Sequence, residues 1–380
     1  MQNEFDAVVI GGGIIGRLTA WHIARSGQHT LLLEQHSLDR PEGSSRGTSR
    51  MFGEAHLEDV YYDLAHASRY LWRGLERETG MELLHLNGGM DIAIGSQGLR
   101  SIKEVASKLR SRRCPFEIFD GTALYRRYPQ WRYVSNAHAI YSSNEGVLRA
   151  DLCMDAAITA AQKYNLSVRD NSRVTSIQER GSGTIVVRLS SGQEYHTRKL
   201  VIAAGPWAPG ILKLFGIKLP LQVFQVQTVY FAPRRNSELF TLKNCPVWEW
   251  EGPQFVYGFP MFEKDGIKVS FHSEGRNLKN VREFRSTPNA NLVRRLRAFL
   301  EKHLPDAAGE DFGATTCLYT CTPDDEFVVD TIPGLPQVAY FAGCNGFAFH
   351  CAPAISKTLK ELVFGGKTDI NISRFSSKRF

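Results

Sequence analysis

Apolar positions along this chain follow two periods that alternate from end to end. Phe5 to Ile10 is a short apolar run bounded by glycine, which predicts a buried strand, and Thr30 to Leu33 repeats it. Between 57 and 80, Val60, Leu64, Ala67, Leu71 and Leu75 recur at helical spacing, which predicts a helix capped by Gly80. Leu83 to Ile94 alternates in strand fashion through Asn87-Gly88-Gly89, and a helix is expected from about Leu99 to Leu109. A strand near Ala139-Ile140-Tyr141 precedes a helix from Asp151 to Tyr164, with Asp151 placed to cap its first turn. Leu166 to Val168, Arg173 to Ile177, Gly183 to Leu189 and Gln193 to His196 then read as consecutive strands. They lead into an apolar strand from Lys199 that ends in Ala204-Gly205-Pro206-Trp207.

Residues 217 to 275 are strand-rich and aromatic, which predicts a mostly antiparallel sheet. A basic amphipathic helix is expected over 285 to 303, and Pro305 ends it. Strands over Cys317 to Asp330 and Val338 to Gly343, then a helix from about Ala352 to Val363, complete the pattern. The fold class is therefore α/β with mixed α+β character. A Rossmann-like domain, formed by 1–82, 145–215 and 315–380, is interleaved with a second domain formed by 83–144 and 216–314. At 380 residues the chain can bury two such cores.

The first 34 residues carry the strongest chemical signal. Gly11, Gly13 and Gly16 stand at the Gly-x-Gly-x-x-Gly spacing between a strand and a helix, with Ile14 and Ile15 opening that helix. Such glycines give a tight turn, close approach of backbone to a pyrophosphate, and close helix–strand packing. The helix then turns its positive end and its free N–H groups toward the phosphates. Glu34, followed by Gln35, falls where an acidic side chain accepts hydrogen bonds from a ribose. Dinucleotide binding follows; the glycines alone leave NAD and FAD both open. The loop from Arg40 and Pro41 to Arg50 is rich in Gly, Ser and Arg and offers Arg46 and Arg50 as anion contacts.

Composition adds limits. The net charge of +7 is spread in modest clusters at 108–113 and at Arg294, Arg295 and Arg297, a solvated basic surface with no nucleic acid expected. No apolar run of about 18 residues indicates a membrane span, and the N-terminus leads straight into a core strand. Seven scattered cysteines suit a reducing compartment, so a cytoplasmic location is expected. Cys317 and Cys321 lack a companion pair that would complete a zinc set.

The glycine fingerprint, together with Gly43 to Arg50, Tyr257-Gly-Phe-Pro260, Lys268-Val-Ser-Phe-His272 and Cys317-Leu-Tyr-Thr320 with Pro323-Asp324, resembles the D-amino-acid-oxidase class of flavoproteins. More narrowly it is similar to the monomeric sarcosine oxidase and N-methyltryptophan oxidase family, from Phe5 to about Leu362. The resemblance implies FAD bound covalently through Cys317, since a thiolate is the good nucleophile among side chains. It implies that Lys268 promotes electron transfer to O2, because a fixed cation stabilises charge developing on oxygen. It places His272 beside the substrate amine, Arg50 near the flavin, and Tyr257 and Tyr319 in the substrate pocket. It extends the cofactor contacts to Ser44, Arg46, Thr48, Ser49, Val174, Ala204, Gly205, Trp207, Gly343, Asn345, Gly346, Phe347, Ala348 and His350.

The chain departs from that family at the carboxylate clamp. An arginine is expected three residues after Arg50, where Gly53 stands, and a lysine after Gly346-Phe347, where Ala348 stands. His350, only partly protonated near neutrality, is a weak substitute. The expected substrate is thus a secondary (N-methyl or cyclic) amine or amino-acid derivative, bulkier than sarcosine or with its carboxylate absent or placed elsewhere, with O2 as acceptor and H2O2 as product. Trp248 and Trp250 offer an aromatic wall for it. The expected working unit is a monomer or weak homo-oligomer. Competing readings are a dehydrogenase of the same fold with another acceptor, a flavoprotein acting on modified tRNA, and a nucleotide-binding partner protein without turnover.

Overall fold

The computed structural model describes residues 3–38, 42–272 and 274–380, without the side chain of Ser182. Arg40 and Pro41 of the expected loop lie outside the described residues. An eight-stranded sheet holds Val174–Arg180, Thr184–Leu189, Glu194–Ile202, Glu4–Ile10, Thr30–Leu33 and Leu166–Arg169 in that order. Glu4–Ile10 runs parallel to both of its neighbours, and every residue of Thr30–Leu33 is buried, as a strand covered on both faces must be. Helices Ile14–Arg25, Ala150–Ala161 and Ala352–Gly365 cover one face with a core that includes Trp21, Ala157 and Ile355. The two stretches expected as separate strands, Gln193 to His196 and from Lys199, form one strand. Its first half pairs with Thr184–Leu189 and its last residues with Leu335–Ala342, so the partner changes without a break.

The second sheet is nine-stranded and mostly antiparallel, as the aromatic run predicted. Its order is Arg276–Leu278, Gln222–Phe231, Ile267–Phe271, Phe255–Phe259, Val247–Glu251, Gly89–Ile94, Ala137–Ser142 and Glu117–Asp120, with Asp311–Cys321 along Gln222–Phe231. Val247–Glu251 and Gly89–Ile94 run parallel. Asp311–Cys321 lies wholly in this sheet, so the chain returns to the first sheet after Cys321, at Val328–Ile332, and not at 315. A small sheet of Ser49–Phe52, Gly146–Arg149 and Leu84–His85 joins the two layers.

Strand alternation corrects the reading of the tryptophans. Trp248 and Trp250 point to the back of the second sheet, where they pack with Trp131 and Phe299 under helix Ala290–His303. They form no wall for a substrate. That helix begins five residues later than expected, because Pro288 disfavours helical backbone before it and Asn289 accepts from Asn291 N as the cap. Asp151 does not cap its own helix either: Oδ1 accepts from Gly47 N at 3.1 Å and pins the preceding loop. Gly80 does end helix Asp59–Thr79, at φ +73°.

Candidate active site

A cavity of about 1180 Å³ runs from the glycine turn of the first sheet to the open face of the second. At the turn, Gly11 has φ +110°, and a Cβ there would collide with the Ala203 carbonyl. A Cβ on Gly16 would collide with the Gly11 carbonyl, so this glycine lets the helix sit against the turn. Glu34 closes the second strand; its Oε2 accepts from Gly12 N at 2.6 Å and its Oε1 from His36 N at 2.9 Å. An anion-binding helix terminus, a backbone free of Cβ atoms and an acid at the next strand end all open onto one cavity, and this donor set fits FAD.

The loop before Ser49–Phe52 is wrapped around one guanidinium. Arg50 donates to the carbonyls of Ser44 at 2.6 Å, Arg46 at 2.7 Å and Ser49 at 2.8 Å, and lies over the Phe349 ring. Arg46 donates to the Leu38 carbonyl at 3.0 Å and faces Asp151 and Asp155. Arg50 thus shapes the loop as well as lining the cavity.

The second sheet supplies the opposite wall. Lys268, 6% exposed, donates to the Ser49 carbonyl at 2.8 Å and to its hydroxyl at 3.3 Å. Burial, helped by Arg50, pushes its ammonium well below the ordinary lysine value. The Tyr257 and Tyr319 hydroxyls stand 3.3 Å apart, and burial raises both phenols. His272 packs between Phe255 and Tyr319, and burial lowers its imidazole. Cys317 faces the cavity; burial raises its thiol, while Arg50 and Lys268 pull it down.

The cavity brings together Lys268, His272, Arg50, Tyr257, Tyr319 and His350. It also gathers Gly11, Gly13, Ile14, Ile15, Glu34, Gln35, Ser44, Arg46, Thr48, Val174, Ala204, Gly205, Trp207, Cys317, Gly346, Phe347 and Ala348. Four expected contacts do not line it. Gly16 is packed beneath the turn, and Ser49 is 2% exposed and occupied with Lys268. A Cβ on Gly343 would crowd Thr322, and Asn345 spends its amide on Thr322 N at 3.0 Å and the Gly343 carbonyl at 3.1 Å. Both brace the turn that presents Gly346 and Phe347.

His350 needs a further correction. Its Nε2 lies 3.2 Å from His56 Nε2, and burial drives it down to about 3, with His56 at about 4. Neither imidazole is a cation near neutrality. Sequence reasoning missed Asp91, Glu145 and Glu249, three carboxyls on the cavity wall. A signal was present: acids alternate with Trp248 and Trp250, and Asp91 sits between Met90 and Ile92. Period-2 alternation puts such acids on the face opposite the core.

A dinucleotide turn and a facing antiparallel sheet with a buried lysine define an oxidoreductase that works with a bound dinucleotide. The model for FAD dependent oxidoreductases matches residues 6–362, and the chain belongs to that family. It is 32% identical to peroxisomal sarcosine oxidase from Homo sapiens over 386 residues, covering 100% of this chain and 97% of that one. It is 30% identical to monomeric sarcosine oxidase from Bacillus sp. (strain NS-129) over 385 residues, covering 100% and 98%. The open form of NikD, an unusual amino acid oxidase essential for nikkomycin biosynthesis, superimposes with a TM-score of 0.87 at 22% identity, covering 99% and 98%.

Proposed function

We propose that the protein is an FAD-dependent amine oxidase of sarcosine-oxidase type. A secondary amine loses a C–H bond and an N–H proton to become an imine, and O2 takes up the two electrons as H2O2. The observation that carries this reading is the buried Lys268 ammonium, fixed by Ser49 on the same cavity as His272, Tyr257 and Tyr319. FAD, when bound, supplies the two-electron acceptor. Gly11, Gly13, Ile14, Glu34 and Val174 would hold its adenine and pyrophosphate half, with Cys317 as the point of covalent attachment.

The chain's own residues bind and orient. Tyr257 and Tyr319, both kept as neutral phenols, offer hydroxyls to the amine. His272, with its imidazole lowered by burial, offers a ring nitrogen to the amine N–H without adding a repelling charge. Lys268 has a third N–H beyond the two given to Ser49, and negative charge developing on oxygen offsets the desolvation of its ammonium. Gly53, Ala348 and a neutral His350 supply no cation for a carboxylate, which argues against sarcosine as the best substrate. We take the setting to be cytoplasmic and the working unit to be a monomer or weak homo-oligomer.

The test begins with the absorbance of the purified protein before and after acid precipitation, then anaerobic titration with secondary amines. Yellow colour in the pellet, bleaching by an amine and one H2O2 per amine in air are the expected results. A flavin that no amine bleaches would sink the reading, and peroxide far below one per turnover would point to another acceptor.

A further inference from the structure

The three missed carboxyls form one cluster. Asp91 and Glu249 are paired in register on adjacent parallel strands, and Tyr257 is the next partner across from Glu249. Residues in register share a sheet face, so the acids continue the row that Tyr257 begins, at about 5 Å per strand. Gly89, two residues before Asp91, leaves the space that the Glu145 carboxyl fills, and a Cβ on Gly53 would stand 3.3 Å from that carboxyl.

No arginine, lysine or histidine of the described residues forms a salt bridge with any of the three. Glu145 is 5% exposed; Oε1 accepts from Ala55 N at 3.0 Å, and its other oxygen has no partner among the described residues. Neighbouring Glu54 differs in having protein cations beside it: Arg69 at 3.0 Å and His66 at 3.3 Å are its ion-pair partners, and Asn144 donates to its Oε2 at 3.1 Å. Among the described residues, no group of three or more His, Cys, Asp or Glu is placed to hold a metal ion. Glu145 is buried and Asp91 and Glu249 are half-buried, and carboxyls so placed without a protein cation are costly unless a ligand supplies one.

Resting on the amine-oxidase reading, we infer that Asp91, Glu145 and Glu249 form a cation subsite, and that the substrate is an N-alkyl diamine or polyamine whose second, non-reacting nitrogen is an ammonium. Its reacting nitrogen sits by Tyr257 and His272, and its charged end lies one to two strands away. Gly53, one of the two positions where a carboxylate clamp is expected, therefore sits beside a site of opposite sign. Burial first, and then repulsion from neighbouring acids that include Glu251, raises all three carboxyls above their ordinary values, and an ammonium bound among them would lower them again and release protons.

The experiment compares N-methylbutane-1,4-diamine with N-methylpentylamine, its neutral-ended analogue, and with sarcosine on the holoenzyme. Anaerobic bleaching gives kcat/KM, and calorimetry in two buffers of different ionisation enthalpy gives affinity and proton release. We expect the diamine to exceed the analogue by about 30-fold or more, mainly in KM, with net proton release at pH 7. Glu249→Gln and Asp91→Asn should erase that preference while leaving turnover of N-methylpentylamine within a few-fold. Equal or weaker binding of the diamine than of the neutral analogue overturns the inference, and this comparison needs no variant to fold. If no amine is oxidised, the oxidase reading falls; calorimetric preference for the diamine then still decides the subsite.

Discussion

Lys268 Nζ is held by both oxygens of Ser49, the carbonyl at 2.8 Å and the hydroxyl at 3.3 Å, across the seam between the second sheet and the small joining sheet. This clamp fixes one cation in a place where burial lowers its ammonium well below the ordinary value. Lys268→Met keeps the length and removes the charge. The reaction of the reduced enzyme with O2 should slow by about 100-fold or more, while anaerobic bleaching by amine changes only a few-fold. Stopped-flow measurement of the two half-reactions checks this, and an unchanged oxygen rate would place O2 elsewhere.

Cys317 enters its strand through backbone pairing with Val226, so its side chain is free for other work. Cys317→Ala should therefore fold, with a melting temperature close to that of the wild-type apoprotein. Flavin should move from the acid-precipitated pellet to the supernatant. Colour that stays in the variant's pellet would show that the bond, if one exists, is made elsewhere.

Gly11→Ala tests the turn. The new methyl meets the Ala203 carbonyl, and the backbone at φ +110° disfavours any side chain. A loss of about 1–3 kcal/mol in stability and failure to retain flavin are expected. Thermal melting and flavin content per chain report the two effects separately. Full flavin retention would mean that the turn yields more than its packing suggests.

The acid cluster also predicts a pH dependence. Burial, with repulsion from Glu251, pushes Asp91 up to about 7, and burial, with repulsion from Asp91 and Glu251, pushes Glu249 up to about 8, from ordinary values of 3.8 and 4.5. A folded value above the unfolded one means that the native state binds the extra proton. The associated stability is fully present below about pH 4 and is lost as pH rises to about 8. Asp91→Asn and Glu249→Gln remove the titration. Their advantage over the wild type in melting temperature should grow from pH 5 to pH 8 in the absence of amine. His56 and His350, lowered to about 4 and about 3, act in the opposite sense and lose stability as pH falls, but they are common to both proteins and cancel in the difference. A difference that is flat with pH would show that the acids are ionised throughout.

The local pattern of this chain determined much of its architecture, because periodicity, glycine chemistry and capping act over a few residues. The Phe5–Glu34 unit, the Gly80 cap and the mostly antiparallel aromatic sheet were legible there, whereas Lys268, His272, Tyr257 and Tyr319 were singled out only by the family resemblance. Tertiary structure decided which face each strand turns inward. Trp248 looked like substrate wall, yet pairing with Gly89–Ile94 sends its indole to the core and the neighbouring Glu249 carboxyl to the cavity. Asp91, Glu145 and Glu249 are 54 and 104 residues apart along the chain; sheet register makes Asp91 and Glu249 neighbours, and the turn between Ala137–Ser142 and Gly146–Arg149 brings Glu145 over Gly89 beside them. The charge of His350 was decided the same way, by burial against His56 from a distant loop. Short-range rules write the elements; the electrostatics of the site arise where strands from separate parts of the chain share one buried face.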